Sequence, residues 1–396
     1  MSSKILSLQG KGLKLDTRAD IEPFLKDVDA SLLEEIHLGG NTLGVEASQA
    51  LGEFLAKATS LKVANFADIF TGRLISEIPL ALGAICDALI DKTSLVEINL
   101  SDNAFGGRSV DPMIPFLTHN RSFSVLKLNN NGLGPAGGAA IADALLQSAL
   151  LSKKEGKQSN LRTIICGRNR LENGSASAWA AAIAAHGLLE EVRMPQNGIR
   201  MEGIIALAGG LAKNANLGHL DLQDNTFSAG GSKAMAEALS SWANLHTLNF
   251  SDCVLSDDGE VPVLIETLMK GSNPKLRDLL LQNNNLEAKT FALLAQGIPS
   301  NLAALKSLEL QWNDVDDDDE NLQELADLLK ARGGKLFVSD EDEEEDEEEE
   351  EEREEEEAKE EKESAAQPSL EEKKPAAIAD KATDALADML SKVEIR

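Results

Sequence analysis

The chain has 396 residues, room for two ordinary domains or one long array, and a net charge of −29 at pH 7. Such a surface repels nucleic-acid phosphate and favours basic partners, which counts against DNA or RNA binding. There is no run of about 18 apolar residues to span a membrane and no amino-terminal signal peptide. Cys86, Cys166 and Cys253 are odd in number, far apart and without disulfide or metal spacing, as in a reducing compartment, and two of them occupy repeat places that read as interior. With no basic import cluster, the composition points to the cytoplasm.

Along the chain one pattern recurs: apolar, two residues, apolar, one residue, apolar, two residues, Asn, one residue, apolar. The first turn, around Leu6 and Leu8, is degenerate and puts Lys11 in the asparagine place, as a cap does. Asn41 marks the second turn, and Ile69 stands in for it in the third. The clearest copies are Leu95-Ile98-Leu100-Asn103-Phe105, Phe123-Leu126-Leu128-Asn131-Leu133 and Leu161-Ile164-Cys166-Asn169-Leu171. Asn197, Asn225, Cys253, Asn284 and Asn313 carry the pattern on, giving 11 turns, and five of the ten steps between them are 28 residues. Chance does not produce that register.

Each part of the repeat has a physical reading. The alternating Leu-x-Leu piece predicts a short strand with one apolar face, stable only when stacked on its copies. The asparagine falls where the chain turns inward, and its amide can both donate to and accept from stranded backbone groups. The Ala- and Leu-rich halves, such as 139–151 and 233–239, predict helices. The expected fold is therefore an α/β leucine-rich-repeat solenoid over residues 1–338. It has about 11 repeats of the ribonuclease-inhibitor type in a crescent, with an inner parallel sheet and outer helices.

Two steps are long, at 34 and 38 residues. The second excess centres on the polar stretch 152–159, with Lys153, Lys154 and Lys157, and is predicted to loop out between a helix and the next strand. From residue 339 the composition changes. Between Asp340 and Glu363 there are 20 acidic and three basic residues, which supply −17 of the charge. This run, 339–363, cannot build a core, and it reads equally as a solubilising tail or as a surface for basic partners. The remainder, 364–396, has Ile378, Leu386, Met389, Leu390 and Val393 at a spacing that allows one short helix.

Catalytic apparatus of the chain's own is not evident. Five histidines are scattered without ligand spacing, no Gly-Lys phosphate loop occurs, and no carboxylate pair stands apart from the surface. No cofactor or metal is expected. The repeat by itself implies a protein-binding scaffold.

The loops say more. FADIFTGR at 66–73 runs into EIPLAL, followed by LSDNAFG at 100–106, LNNNGLGP at 128–135, IICGRNRLENGS at 164–175, QNGIR at 196–200 and LDLQDNTF at 220–227. In that order, and with an acidic run after the last repeat, they resemble the Ran GTPase-activating protein family over roughly residues 1–363. The resemblance implies an 11-turn crescent that binds Ran in its GTP state, alone or with a Ran-binding protein, and speeds hydrolysis of the bound nucleotide. GTP and Mg²⁺ would belong to the partner, so the chain is an activator and not itself an enzyme. It looks like the compact fungal type: cytoplasmic, monomeric, without the extra domain of animal members or the targeting extension of plant members.

By the same resemblance, Asn130 lies against the active site of Ran and helps hold the GTPase's own glutamine. Its ordinary reading is a turn asparagine. Arg73, in the FTGR loop at the rim, is open to three readings: a contact or loop-ordering residue, an arginine finger at the phosphate, or a loop salt bridge. Asp102, Arg168, Arg170, Gln196 and Asp224 stand beside the repeat asparagines of successive turns and form the expected partner footprint, although Arg168 and Arg170 could instead pair with Glu172. Where family members carry a basic residue two places after the arginine, this chain has Ile75, which weakens or replaces a charged contact. The rival readings are a non-catalytic scaffold or inhibitor like the ribonuclease inhibitors, and an acidic histone-binding chaperone, whose repeats are fewer and shorter.

Overall fold

The computed structural model describes residues 4–256, 259–316 and 318–339. The acidic run from residue 340 and the possible helix near Leu386 lie outside the described residues. Among those described, 12 short strands pair in sequence order into one parallel sheet, from Ile5–Ser7 to Lys335–Phe337. Each strand is followed by a helix on the same side, except the last.

The repeat therefore folds as its period dictates. Each strand buries its central residue, as Leu126 and Ile164 do, and the pairs stay in strict register, Leu126 opposite Ile164 and Ile164 opposite Val192. The helices bury the stripe expected of 3.6 residues per turn. In Met201–Leu211 it consists of Ile204, Leu207, Ala208 and Leu211. Neighbouring helices approach closely: a β-carbon on Gly210 would lie 2.4 Å from the Ala180 carbonyl oxygen. Helices are wider than strands, so the stack curves with the sheet on its inner face.

The repeat asparagines form a ladder. Asn131 Oδ1 accepts from the Asn103 backbone N–H at 2.9 Å, Asn169 from Asn131 at 2.9 Å and Asn197 from Asn169 at 3.0 Å. Each Nδ2 donates back to its own turn and to the previous one, as Asn131 does to Leu128 and Leu100. At Cys253 the thiol takes the donor's part, reaching the Leu222 carbonyl at 3.4 Å. All three cysteines are free and buried, one more than the repeat predicted. Burial pushes the Cys166 thiol up to about 12 and the other two upward as well.

One expectation needs correcting. The stretch 152–159 does not simply loop out: Gly134–Lys154 is a single helix of 21 residues, where the next two helices have 15 and 11. The excess thus goes largely into extra helical turns, and the loop starts only at Glu155. Ser159 ties that loop down, with its hydroxyl 2.6 Å from Nδ1 of the buried His186. The 11 expected turns hold: 11 α-helices are described, and the main sheet has a twelfth strand because Lys335–Phe337 closes the stack after the helix Glu320–Ala331.

If the ladder holds the turns, Asn169→Ala strands the Asn131 N–H and the Leu128 and Gly167 carbonyls. It should lower stability by about 2–4 kcal/mol in urea unfolding. A loss well below 1 kcal/mol would contradict a structural role for the amide.

Candidate functional site

The residue just before each asparagine place adopts a left-handed backbone. Gly10 and Gly40 do so in the first two turns, then Asp68, Asp102, Asn130, Arg168, Gln196, Asp224, Asp252, Asn283 and Trp312, with φ between 48° and 73° throughout. Each backbone N–H in the middle of this series bonds to the next turn: Asp102 to Asn129 at 2.8 Å, Asn130 to Gly167 at 2.9 Å, Arg168 to Pro195 at 2.9 Å and Gln196 to Gln223 at 2.8 Å. These side chains therefore form a row along the rim where strands pass into helices. Glycine, Asn and Asp tolerate this backbone well; Arg, Gln and Trp do so less readily.

The structure brings Asp102, Asn130, Arg168, Gln196 and Asp224 together in that row, all exposed, with Arg170 exposed one position beyond its asparagine. The Asn129-Asn130-Asn131 triplet divides three ways. Asn131 is buried in the ladder. Half-buried Asn129 accepts from the Gly167 N–H at 2.6 Å, a structural role the sequence did not reveal. Asn130 faces solvent, and its Nδ2 donates to Asp102 Oδ1 at 3.1 Å. An ionised carboxylate can only accept, so this bond fixes which way the Asn130 amide points and leaves its Oδ1 available to a donor on a partner.

The suggested pairing of Arg168 and Arg170 with Glu172 does not form. Among the described residues neither arginine is within 4.0 Å of a carboxylate, and the ion pairs of this region belong to Arg121, Arg162 and Arg193. Two exposed, unpaired guanidinium groups beside Asn130 can meet carboxylates of a partner.

Arg73 sits in the turns between Val63–Asn65 and the helix Ile78–Leu89, which absorb the 34-residue step. Its guanidinium does not project from the rim. Nη1 donates to Asp16 Oδ1 at 2.5 Å, Nε donates to Thr42 Oγ1 at 2.8 Å, and Nη2 donates to the Thr42 carbonyl at 2.9 Å. The side chain is only 9% exposed. Arg73 and then Lys14 hold the Asp16 carboxyl below the usual carboxylate range. The geometry is that of a tie between this loop and the first two turns. Leu74 and Ile75, next along, stand out at 66% and 59% exposed, so an apolar side chain occupies the place where a charged contact was expected.

Among the described residues no group of His, Cys, Asp and Glu could hold a metal ion, and no helix is long and apolar enough to cross a membrane. A cavity of about 740 Å³ between the first two helices, lined by Arg18, Pro23, Phe54 and Lys57 among others, includes none of the rim residues.

A family model described as Leucine Rich repeat matches residues 119–142. A solved internalin from Listeria monocytogenes overlays 78% of this chain and 80% of its own at 17% identity and a TM-score of 0.39, too loosely to add to the fold. Sequence relatives are more telling. Ran GTPase-activating protein 1 of Xenopus laevis is 45% identical over 198 residues, 49% of this chain and 34% of the frog protein. Ran GTPase-activating protein 2 of Caenorhabditis elegans is 43% identical over 202 residues, 50% of this chain and 21% of the worm protein. Ran GTPase-activating protein 1 of Saccharomyces cerevisiae is 37% identical over 345 residues, covering 85% of this chain and 83% of the yeast protein. An alignment that runs nearly end to end through both proteins, over a rim built from the loops that carry the resemblance, leads to one conclusion: this chain belongs to the Ran GTPase-activating protein family.

Proposed function

We propose that the chain activates GTP hydrolysis on Ran by docking its rim on the GTP-loaded GTPase and ordering the partner's own glutamine with Asn130. The observation that carries this reading is the Asn130 amide, exposed on the rim and oriented by Asp102. With Nδ2 committed to the carboxylate, Oδ1 is an acceptor of fixed direction, matched to the NH₂ of a glutamine side chain. Held there, the glutamine can align the attacking water. Phosphoryl transfer gains mostly from such positioning and from charge stabilisation. GTP and Mg²⁺ belong to Ran, and the chain contributes surface only. Arg168, Arg170, Gln196 and Asp224 extend the footprint on either side of the chemistry. The chain works as a cytoplasmic monomer, and a Ran-binding protein can share the complex.

Arg73 acts at one remove in this reading. A finger must leave its own protein and reach the phosphate, and that would break three hydrogen bonds to Asp16 and Thr42. Its task is to hold the loop from Thr71 to Glu77 in a shape that fits the partner.

Single-turnover hydrolysis of GTP on Ran, followed at rising concentrations of the chain, tests the reading. The expected plateau is at least about 10³-fold above the intrinsic rate, and no acceleration would leave only a binding scaffold. Arg73→Ala should raise the half-saturating concentration by about tenfold and leave the plateau within about threefold, whereas a finger predicts a plateau loss of about 10³ or more. Asp102→Ala should lower the plateau by about tenfold, the worth of one hydrogen bond, and Asp102→Asn, which keeps an acceptor, should recover most of it.

A further inference from the structure

Trp312 is out of place by every local criterion. It occupies the rim position of the last asparagine turn, with φ of 56°, where eight of the other ten turns use Gly, Asp or Asn and the remaining two use Arg168 and Gln196. A bulky side chain is disfavoured in that backbone. The indole is not recovered by the core either. Trp312 is 56% exposed, whereas Trp179 and Trp242 are fully buried. Among the described residues its ring stacks on no other ring and its Nε1 has no hydrogen-bond partner. Neither backbone nor packing accounts for a tryptophan here, and large exposed aromatics on a rigid rim are typical anchors for a partner.

The surroundings define what the anchor would hold. The rim loops up to residue 200 carry Arg73, Arg108, Arg168, Arg170 and Arg200. The rim loops from residue 250 onward carry no lysine or arginine but have Asp252, Glu260, Glu287, Asp314, Asp316 and Asp318. Asp314 and Asp316 follow Trp312 in its own loop, both exposed, and none of these six carboxylates has an ion-pair partner among the described residues. An aromatic face among unpaired carboxylates suits a cation. It suits arginine above all, whose planar guanidinium can stack on the ring while its N–H groups meet the carboxylates.

We propose that Trp312, with Asp314 and Asp316 of its own loop, is a second docking point on the rim, for a basic peptide segment that lays an arginine or lysine against the indole. The point lies at the opposite end of the rim from Arg73, and it stands whether or not the Asn130 mechanism does. A nucleic acid would be repelled by the same charges, and a neutral apolar peptide would leave the carboxylates unmatched.

Because Trp179 and Trp242 are buried, Trp312 dominates the tryptophan emission that a dissolved quencher can reach. The full chain is titrated with a short arginine- and lysine-rich peptide, and quenching by acrylamide is read at each point. Other acidic parts of the chain will also attract such a peptide, so the test is shielding of this indole rather than binding as such. Saturating peptide should remove most of the accessible emission, and Asp314→Asn with Asp316→Asn should raise the peptide concentration needed at least about tenfold with the indole still in place. Trp312→Gly, which suits the left-handed backbone, should fold with an unchanged or higher Tm and bind the peptide more weakly. If Trp312 stays open to acrylamide at saturating peptide, if the double variant shields it as well as the native chain does, or if Trp312→Gly unfolds, the proposal is overturned.

Discussion

Everything in this molecule depends on a buried amide handing hydrogen bonds from one turn to the next. A short strand ends after about three residues, and the chain must bend inward with its backbone groups unpaired. Asn103, Asn131, Asn169 and Asn197 answer that with one acceptor and two donors each, all inside the stack. The bend has a second consequence. The residue before each asparagine is driven into the left-handed region, and its side chain is thrown out to the rim. The element that stabilises the fold therefore also displays, once per turn, a residue free to serve recognition.

The fold was legible in the sequence because the 28-residue register is a direct record of that constraint. The strands, the ladder and the helical halves follow from Leu-x-Leu, Asn and the Ala-rich spacing. What could not be read has physical reasons. The chain from Ser152 to Lys154 is polar, yet it continues a helix whose terminal carbonyls need only solvent or a local turn. A second set of side chains closes helix ends one turn away: Lys92 donates to the Ala56 carbonyl, Asn120 to Leu89, Asn214 to Ile183 and Trp242 to Leu211. Three residue types share that task, so no single letter recurs to reveal it.

For the candidate site, the sequence could say which residues stand beside the asparagines but not what they touch. Asn130 is one of three identical letters; the repeat separates the ladder amide of Asn131 from the rim group Asn130, and only the coordinates show Asn129 as a clamp on Gly167. The sequence left Arg73 open as a contact or loop-ordering residue, a finger or a loop salt bridge; its partners Asp16 and Thr42 lie 57 and 31 residues away, too distant in sequence to be inferred. The bond from Asn130 to Asp102 spans one full turn and turns two separately nominated positions into one device. Among the described residues Arg168 and Arg170 have no carboxylate of their own, whereas Arg73, Arg121, Arg162 and Arg193 do.

The account rests on Asn130 acting at the chemical step rather than merely in docking. The deciding measurement is the rate of Ran-bound GTP hydrolysis at saturating concentrations of an Asn130→Ala variant, with binding to GTP-loaded Ran measured in parallel. The rim amide predicts a plateau reduced by about 10²-fold or more with affinity changed by less than about threefold, the signature of an interaction made in the transition state. A plateau equal to that of the native chain, whatever the affinity, would contradict it.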